Sequence, residues 1–389
     1  MLPIIIRLLL ILRYKGMKIM KVPLLFVTID ALGPDLVQKA DMPFLKQMIS
    51  QGASVKNATS CFPTLTTPMM STILTGMYPQ NHGIPANYKL FFEKKEAEGT
   101  LRNLKSTTIS EILMSQGYKT LSAQHFMLAD YDGKKRCSRY IEPGGGDPQV
   151  LTQAIIKAFE TEKYDAVFTI YQSVDNTGHS HGPLSDANVK AAEEIDRNMK
   201  ELYEFLKKEW GEFLTVVSSD HSMSRADKHS NFSIEKILER YSLKYEFYQP
   251  GDKISQSIDC ALLNFPMVPI FLMTDKARNA GEDILKDLRA DKEVEVVYDK
   301  KQMKDLGNEL YGDICYSLVK GYSTSKLLLI PFAKFGYHGT VHEKPAIINY
   351  FGPMVCKKQI ESSELVDIVP TVLKYLGISS NIKFDGTAK

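Results

Sequence analysis

With 389 residues, 44% of them hydrophobic and 24% charged, the chain can bury the core of one large domain with an insertion, or of two ordinary domains. A formal net charge of +2, with only short basic runs such as Lys207-Lys208 and Lys357-Lys358, argues against a stable nucleic-acid binder. Five scattered cysteines (Cys61, Cys137, Cys260, Cys315, Cys356) without a CxxC pair argue against a disulfide framework and a zinc ribbon, and fit a reducing, cytoplasmic compartment.

In chain order, residues 1–13 (MLPIIIRLLLILR) form an apolar run broken by Arg7, too short for a transmembrane span and without a small-residue cleavage site after it. Residues 1–22 are therefore an N-terminal extension: a mis-called start ahead of Met17 or Met20, a degenerate signal, or a membrane-surface anchor. Leu24–Ile29 (LLFVTI) is a continuous apolar, β-branched run ending at Asp30, the pattern of a buried parallel strand. Three more segments share that design: 164–171 leading into QSVDNTGHSHGP, 213–217 leading into SSDHS, and 346–350 leading into FGP. Amphipathic helices are predicted over 108–116, 148–162 and 186–208, the last with Ala191, Ile195, Met199, Leu202 and Leu206 at spacings of three and four.

Strands alternating with helices predict an α/β class fold, a doubly wound, mostly parallel sheet with helices on both faces. In such folds function collects at the carboxyl ends of the strands. Residues 23–229 and 336–389 are expected to form the catalytic domain. Residues 230–335, in which 268–273, 276–288 and 294–298 suggest a small βαβ unit, are expected to form a cap insertion folded onto the site.

The chemistry-bearing residues fall at those strand ends and in loops. They are Asp30, the pair Asp175 and His179 in a glycine-containing loop, the pair Asp220-His221, and His338 in GYHG. Each alone fits a turn, a helix cap or a plain loop residue. Together, three carboxylates and three imidazoles suit zinc or another first-row divalent ion, and suffice for two ions that each keep an open position. Thr66 precedes Pro68 and a helix predicted over 69–74 that closes at Gly76, so it stands at a helix N-terminus suited to phosphate. The bland reading of Thr64, Thr66 and Thr67 is that they cap that helix.

The segments TIDALGPD (28–35), FPTLTTPMMSTILTGMYPQNHGI (62–84), DNTGHSHGP (175–183), VVSSDHSMS (216–224), GYHG (336–339) and LVDIVPTVLKYLGI (365–378) resemble the type I phosphodiesterase/nucleotide pyrophosphatase family of the alkaline phosphatase superfamily. The resemblance runs from about residue 24 to 387 and implies an alkaline-phosphatase-like fold. It implies two divalent ions, zinc foremost with Mn2+ or another first-row metal as alternatives. One would be held by Asp30, Thr66, Asp220 and His221, the other by Asp175, His179 and His338. It further implies a phosphothreonine intermediate on Thr66, and Asn87 as hydrogen-bond donor to a phosphoryl oxygen. The expected partner is a small-molecule phosphate ester, nucleotides included.

Two departures bear on substrate. Thr67 stands where nucleotide-cleaving members often carry an aromatic residue, and Met69-Met70 replaces an Asn-His pair. The Lys-x-Lys segment by which the similar phosphonoacetate hydrolases read a carboxylate has no clear equivalent near Ser122–Phe126. The competing readings are a phosphomonoesterase or phosphonate hydrolase with the same metals, and a non-catalytic metal-binding protein. Against the last, Thr66 and the full ligand set are intact. Of the other histidines, His82 is expected to support the turn after the Thr66 helix, and His181 and His342 to back the metal ligands. Trp210, Tyr241, Tyr245, Phe247 and Tyr248 are expected to pack the cap.

Overall fold

The structure, a computed structural model, describes residues 21–325 and 335–389. Residues 1–20, with the apolar N-terminal run, and residues 326–334 of the insertion lie outside the described residues. No described helix is long and apolar enough to cross a membrane.

The scaffold is an eight-stranded sheet: β1 (Leu24–Ile29), β2 (Ala53–Thr59), β3 (Thr120–Ala123), β4 (Arg139–Ile141), β5 (Ala166–Tyr171), β6 (Leu214–Ser218), β7 (Ile348–Phe351) and β8 (Lys358–Glu364). The strand order is β8-β2-β7-β6-β1-β5-β3-β4. Every pairing is parallel except those of β7, which runs antiparallel to both β2 and β6. All six residues of β1 are buried because both faces of the sheet are covered. Leu24 and Phe26 pack with Phe168 and Val216 under α1 (Thr66–Thr75), while Leu25, Val27 and Ile29 pack with Val167 and Val217 on the opposite face. That opposite face is closed by Pro148–Thr161 and by the long helix Asp186–Trp210, whose apolar stripe the sequence periodicity had located.

Three local expectations need correction. The 346–350 run forms β7, but with the opposite polarity to its neighbours: a buried apolar run records that both faces are covered, not which way the chain points. Asp175 and His179 lie on a helix, α2 (Ser173–His181), instead of in a loop. The small βαβ unit exists as Met267–Leu272, Asp275–Ala290 and Val294–Asp299, but Ile314–Leu318 lies between its two strands and pairs antiparallel with both. With Tyr245–Tyr248 and Cys260–Leu263 these make a five-stranded sheet.

The insertion shares a core with the segment ahead of Thr66. Phe62 and Leu65 pack with Tyr248, Phe265, Met267 and Tyr311, and Phe62 meets Tyr311 edge-on at 5.2 Å. Trp210, by contrast, belongs to the catalytic sheet's own core, against Phe159 and Phe213, with its indole N–H on Tyr164 O at 2.8 Å.

A close approach of two glycines fixes how α2 meets the strand Phe335–Tyr337. A Cβ on Gly178 would lie 2.4 Å from Met223 Sδ, and one on Gly336 would lie 2.3 Å from the Gly178 carbonyl oxygen. Gly336→Ala is expected to push this strand off α2, at the roughly 1–3 kcal/mol usual for overpacking. The melting temperature of metal-free protein should fall by several degrees and divalent-metal retention should fall with it. Unchanged values in thermal melts and metal analysis would show that the contact has room to give.

Candidate metal and phosphoryl-transfer site

The central strands converge on one point. Asp30 follows β1, Asp175 lies on the helix after β5, and Asp220-His221 follows β6. The antiparallel β7 starts at this same edge of the sheet, so the loop ahead of it brings His338 to the others. The ligand atoms form two groups, Asp30/Asp220/His221 and Asp175/His179/His338, each with its atoms within 4.8 Å of one another. The groups adjoin, since the His221 and His338 rings stack at 3.9 Å and the His179 and His338 rings lie 5.1 Å apart.

Each donor is aimed by backbone. The Nδ1 atoms of His179, His221 and His338 contact carbonyl oxygens of Gly336 (2.9 Å), Ser222 (3.0 Å) and Thr64 (2.9 Å). A carbonyl only accepts, so Nδ1 carries the proton and Nε2 is left as the lone-pair donor. Asp220 Oδ1 accepts the N–H groups of Ala31 and His221, both at 3.0 Å, leaving Oδ2 for the site. Holding that bond puts Ala31 at φ +62. Asp175 and His179, four residues apart on α2, point together, with Nε2 3.4 Å from Oδ1.

The electrostatics favour a cation. Asp30 Oδ1, Asp175 Oδ1 and Asp220 Oδ2 are buried without a hydrogen-bond partner among the described residues. Burial first, and then the nearby Asp220 and Asp175 carboxylates, push the Asp30 carboxyl well above its usual range. Burial opposes ionisation of Asp175 too, but the adjacent His179 and His338 imidazoles hold it below the usual value. His338 is pushed down to about 3, chiefly by burial, so its imidazole is neutral and available as a ligand. Buried carboxylate oxygens and neutral imidazole nitrogens fit divalent zinc-type ions.

Thr66 opens onto this cluster. From Ser60 to Gly76 every residue is buried except Thr66, whose Oγ1 lies 3.4 Å from His221 Nε2. It is the first residue of α1, which starts three residues earlier than the sequence pattern placed it and ends at Gly76 in the left-handed region, φ +66. Asn87 reaches the start of the same helix. Its Oδ1 accepts the Thr67 N–H at 3.0 Å, which turns its Nδ2 amide outward as a donor.

The capping reading of the threonines does not hold. The residue ahead of α1 is Leu65, and no side chain caps it. Thr64 instead accepts the Gly339 N–H at 2.9 Å and donates to Thr340 O at 2.8 Å, tying down the loop that carries His338. No local pattern signals this, because the partners lie far along the chain. His82 does support its turn, with Nε2 3.1 Å from Thr72 Oγ1 and Nδ1 accepting the Ile84 N–H at 3.2 Å. His342 pairs with Glu295 of the insertion and exposed His181 with Ser180, so neither backs a ligand. The five cysteines are free.

This arrangement, three aspartates and three histidines around a helix-borne threonine on a mostly parallel α/β sheet, defines a protein of alkaline-phosphatase-like fold. A structure of wild-type alkaline phosphatase PafA superposes with a TM-score of 0.72 at 14% identity, covering 95% of this chain and 99% of that one. An inactive form of murine ectonucleotide pyrophosphatase/phosphodiesterase 5 in complex with AMP gives 0.73 at 20%, covering 94% and 98%. The family model described as type I phosphodiesterase/nucleotide pyrophosphatase matches residues 24–345, and the chain belongs to that family. It is 22% identical over 290 residues to mouse ectonucleotide pyrophosphatase/phosphodiesterase family member 7, covering 68% of this chain and 62% of that protein. It is 25% identical over 230 residues to bovine bis(5'-adenosyl)-triphosphatase ENPP4, covering 56% of this chain and 51% of that protein. The chain thus spans between half and two thirds of these relatives.

Two predictions follow from the geometry. Thr64→Ala leaves the buried Gly339 N–H without its acceptor, at about 1–3 kcal/mol, whereas Thr67→Ala removes no bond of that loop. Urea unfolding should therefore separate the two variants; equal stabilities would remove Thr64 from its proposed role. The second concerns pH. Burial lowers His82 to about 3 and His125 to about 4, so the folded chain binds fewer protons there than the unfolded chain. Their contribution is complete above about pH 6.5 and erodes as pH falls toward 4. His125→Leu should make the slope of unfolding free energy against pH shallower by one proton across that window; an unchanged slope means that His125 titrates normally.

Proposed function

We propose that the chain hydrolyses phosphodiester or pyrophosphate bonds through a phosphothreonine intermediate on Thr66. The observation that carries this reading is the single opening in a buried segment: Thr66 Oγ1 meets the Asp/His cluster there, beside an oriented Asn87 amide. The oxygen of Thr66 forms the new bond to phosphorus while the bond to the leaving oxygen breaks, and that oxygen departs with a proton. Water then attacks the phosphothreonine, releasing the phosphoryl product and returning the proton to Thr66. Asn87 Nδ2 donates to the phosphoryl oxygen on which charge grows. The positive end of the α1 dipole adds the same sign of potential.

Asp30, Asp220 and His221 would hold one divalent ion and Asp175, His179 and His338 another, zinc being the best match to this donor set. Such ions would supply positive charge to the phosphoryl oxygens and lower the pKa of the Thr66 hydroxyl. The substrate proposed is a small phosphate ester. A nucleotide is supported by the AMP complex of the murine structure and by the dinucleoside activity in the bovine protein's name. Because Thr67 removes one aromatic surface, worth about 1–3 kcal/mol per stacked base, a non-nucleotide diester should be a competent substrate too.

The test pairs variants with trapping. Thr66→Ala should bind metal nearly as wild type and lose turnover of a p-nitrophenyl phosphodiester by several orders of magnitude, while Thr66→Ser keeps measurable activity. Acid-quenched turnover should leave the phosphoryl group on the peptide containing Thr66. Near-normal turnover in Thr66→Ala, or an adduct on another residue, overturns the assignment. Faster cleavage of the monoester than of the diester would redirect it to a monoesterase.

A further inference from the structure

Glu343 is fully buried and belongs to neither group of candidate ligands. Its Oε2 accepts two hydrogen bonds from one residue, the Thr340 N–H at 2.9 Å and the Thr340 hydroxyl at 2.7 Å. That hydroxyl in turn accepts the His342 N–H at 3.2 Å. Glu343 Oε1 is buried with no hydrogen-bond partner among the described residues. A carboxylate taken out of water and bonded through one oxygen only is a costly way to close a turn. The bonds that leave this turn on either side give a reason for it.

Each side leads to one imidazole of the site. On the first, Thr340 O accepts the Thr64 hydroxyl at 2.8 Å, the same hydroxyl accepts the Gly339 N–H at 2.9 Å, and the Thr64 carbonyl holds His338 Nδ1 at 2.9 Å. On the second, the Glu343 carbonyl accepts the Ser222 N–H at 2.9 Å, and the Ser222 carbonyl holds His221 Nδ1 at 3.0 Å. Glu343 thus grips the His338 loop with its side chain and the His221 loop with its main chain. The two rings belong to different ligand groups and stack at 3.9 Å, 17° from parallel. We propose that Glu343 is a positioning residue that sets the two metal positions against each other. Its carboxylate fixes Thr340 relative to Ser222, and through them one imidazole relative to the other. A carboxylate suits this hold because one oxygen takes both an N–H and an O–H donor, and an ionised acceptor binds them roughly twice as strongly as a neutral one. Glu343 acts through Thr340 and Ser222 without touching substrate. This role rests on the two-metal reading, since the rings it aligns are the proposed ligands.

The experiment reads zinc affinity by chelator competition on stripped and reloaded protein, at a temperature where circular dichroism shows each variant folded. Glu343→Met keeps the length of the side chain without the acceptor, and should weaken zinc by about 10- to 100-fold, the range for partners that orient metal ligands. Glu343→Gln keeps one acceptor oxygen and should recover part of that loss. Thr340→Val removes the hydroxyl and keeps the N–H. It should weaken zinc about tenfold, and combined with Glu343→Met it should add less than its own factor, because both act on one contact. Asp196, a buried carboxylate that accepts the Phe44 and Leu45 N–H groups at 3.0 and 2.8 Å, supplies the comparison for a purely structural role. Asp196→Asn should lower the metal-free melting temperature and leave zinc affinity at the wild-type value. Should Glu343→Met not fold, Glu343→Gln and Thr340→Val carry the same test. Wild-type zinc affinity in the folded Glu343 and Thr340 variants, or losses that multiply in the double variant, overturns the positioning role while leaving the metal site intact. A wild type that holds no zinc overturns the metal reading and this role together.

Discussion

Three carboxylates that repel one another are held together beyond the ends of neighbouring strands, two just after strands and one on a helix, and the rest of the site is organised around that repulsion. Removing one charge from water costs several kcal/mol even after relaxation, and Asp30, Asp175 and Asp220 sit within electrostatic reach of one another. The protein answers with fixed dipoles. Two backbone N–H groups hold one oxygen of Asp220, and one oxygen of each aspartate remains without a hydrogen bond. These spare oxygens, with three imidazoles whose protons are fixed on Nδ1 by carbonyl groups, leave a cluster whose negative charge a divalent cation would offset.

The burial of the two halves differs. Asp30, Asp220 and His221 are inaccessible, whereas in the other group His338 is buried, Asp175 half-buried and His179 exposed. The inner half can be rigid and dry, which strengthens its electrostatics. The outer half faces the side from which substrate and water must arrive. Asn87, through its hold on the Thr67 N–H, is coupled to the start of α1.

Much of this was legible in the chain because buried parallel strands advertise themselves. The run Leu24–Ile29 ends at Asp30 and the run 213–217 leads into SSDHS, so Asp30 and Asp220 could be placed at strand ends from apolar pattern alone. What the pattern could not carry was direction and long-range partnership. The polarity of β7 depends on where the insertion returns, not on the composition of its four residues. The segment Ser173–His181 is rich in Asn, Thr, Gly and Ser, poor helix formers, and reads as a loop; packing of Val174 and Gly178 makes it helical. Thr64 was invisible for the same reason, since its partners Gly339 and Thr340 are distant in sequence.

The single reversed strand has a consequence for how such a chain can change over time. The chain leaves the sheet at Ser218 and re-enters it at Ile348 on the adjacent strand and at the same edge, with Ser219 and Ile347 joined by bonds of 2.9 and 2.8 Å and Ser222 held by Glu343 O at 2.9 Å. The insertion is thus a loop with clamped ends, and closing a longer loop costs only about 0.6 kcal/mol per doubling of its length. Residues can be added, lost or reshaped in the parts of the insertion that pack on neither Phe62 and Leu65 nor the loop carrying His338 without disturbing the register that sets Asp220, His221 and His338. Recognition and chemistry are therefore free to evolve at different speeds within one chain.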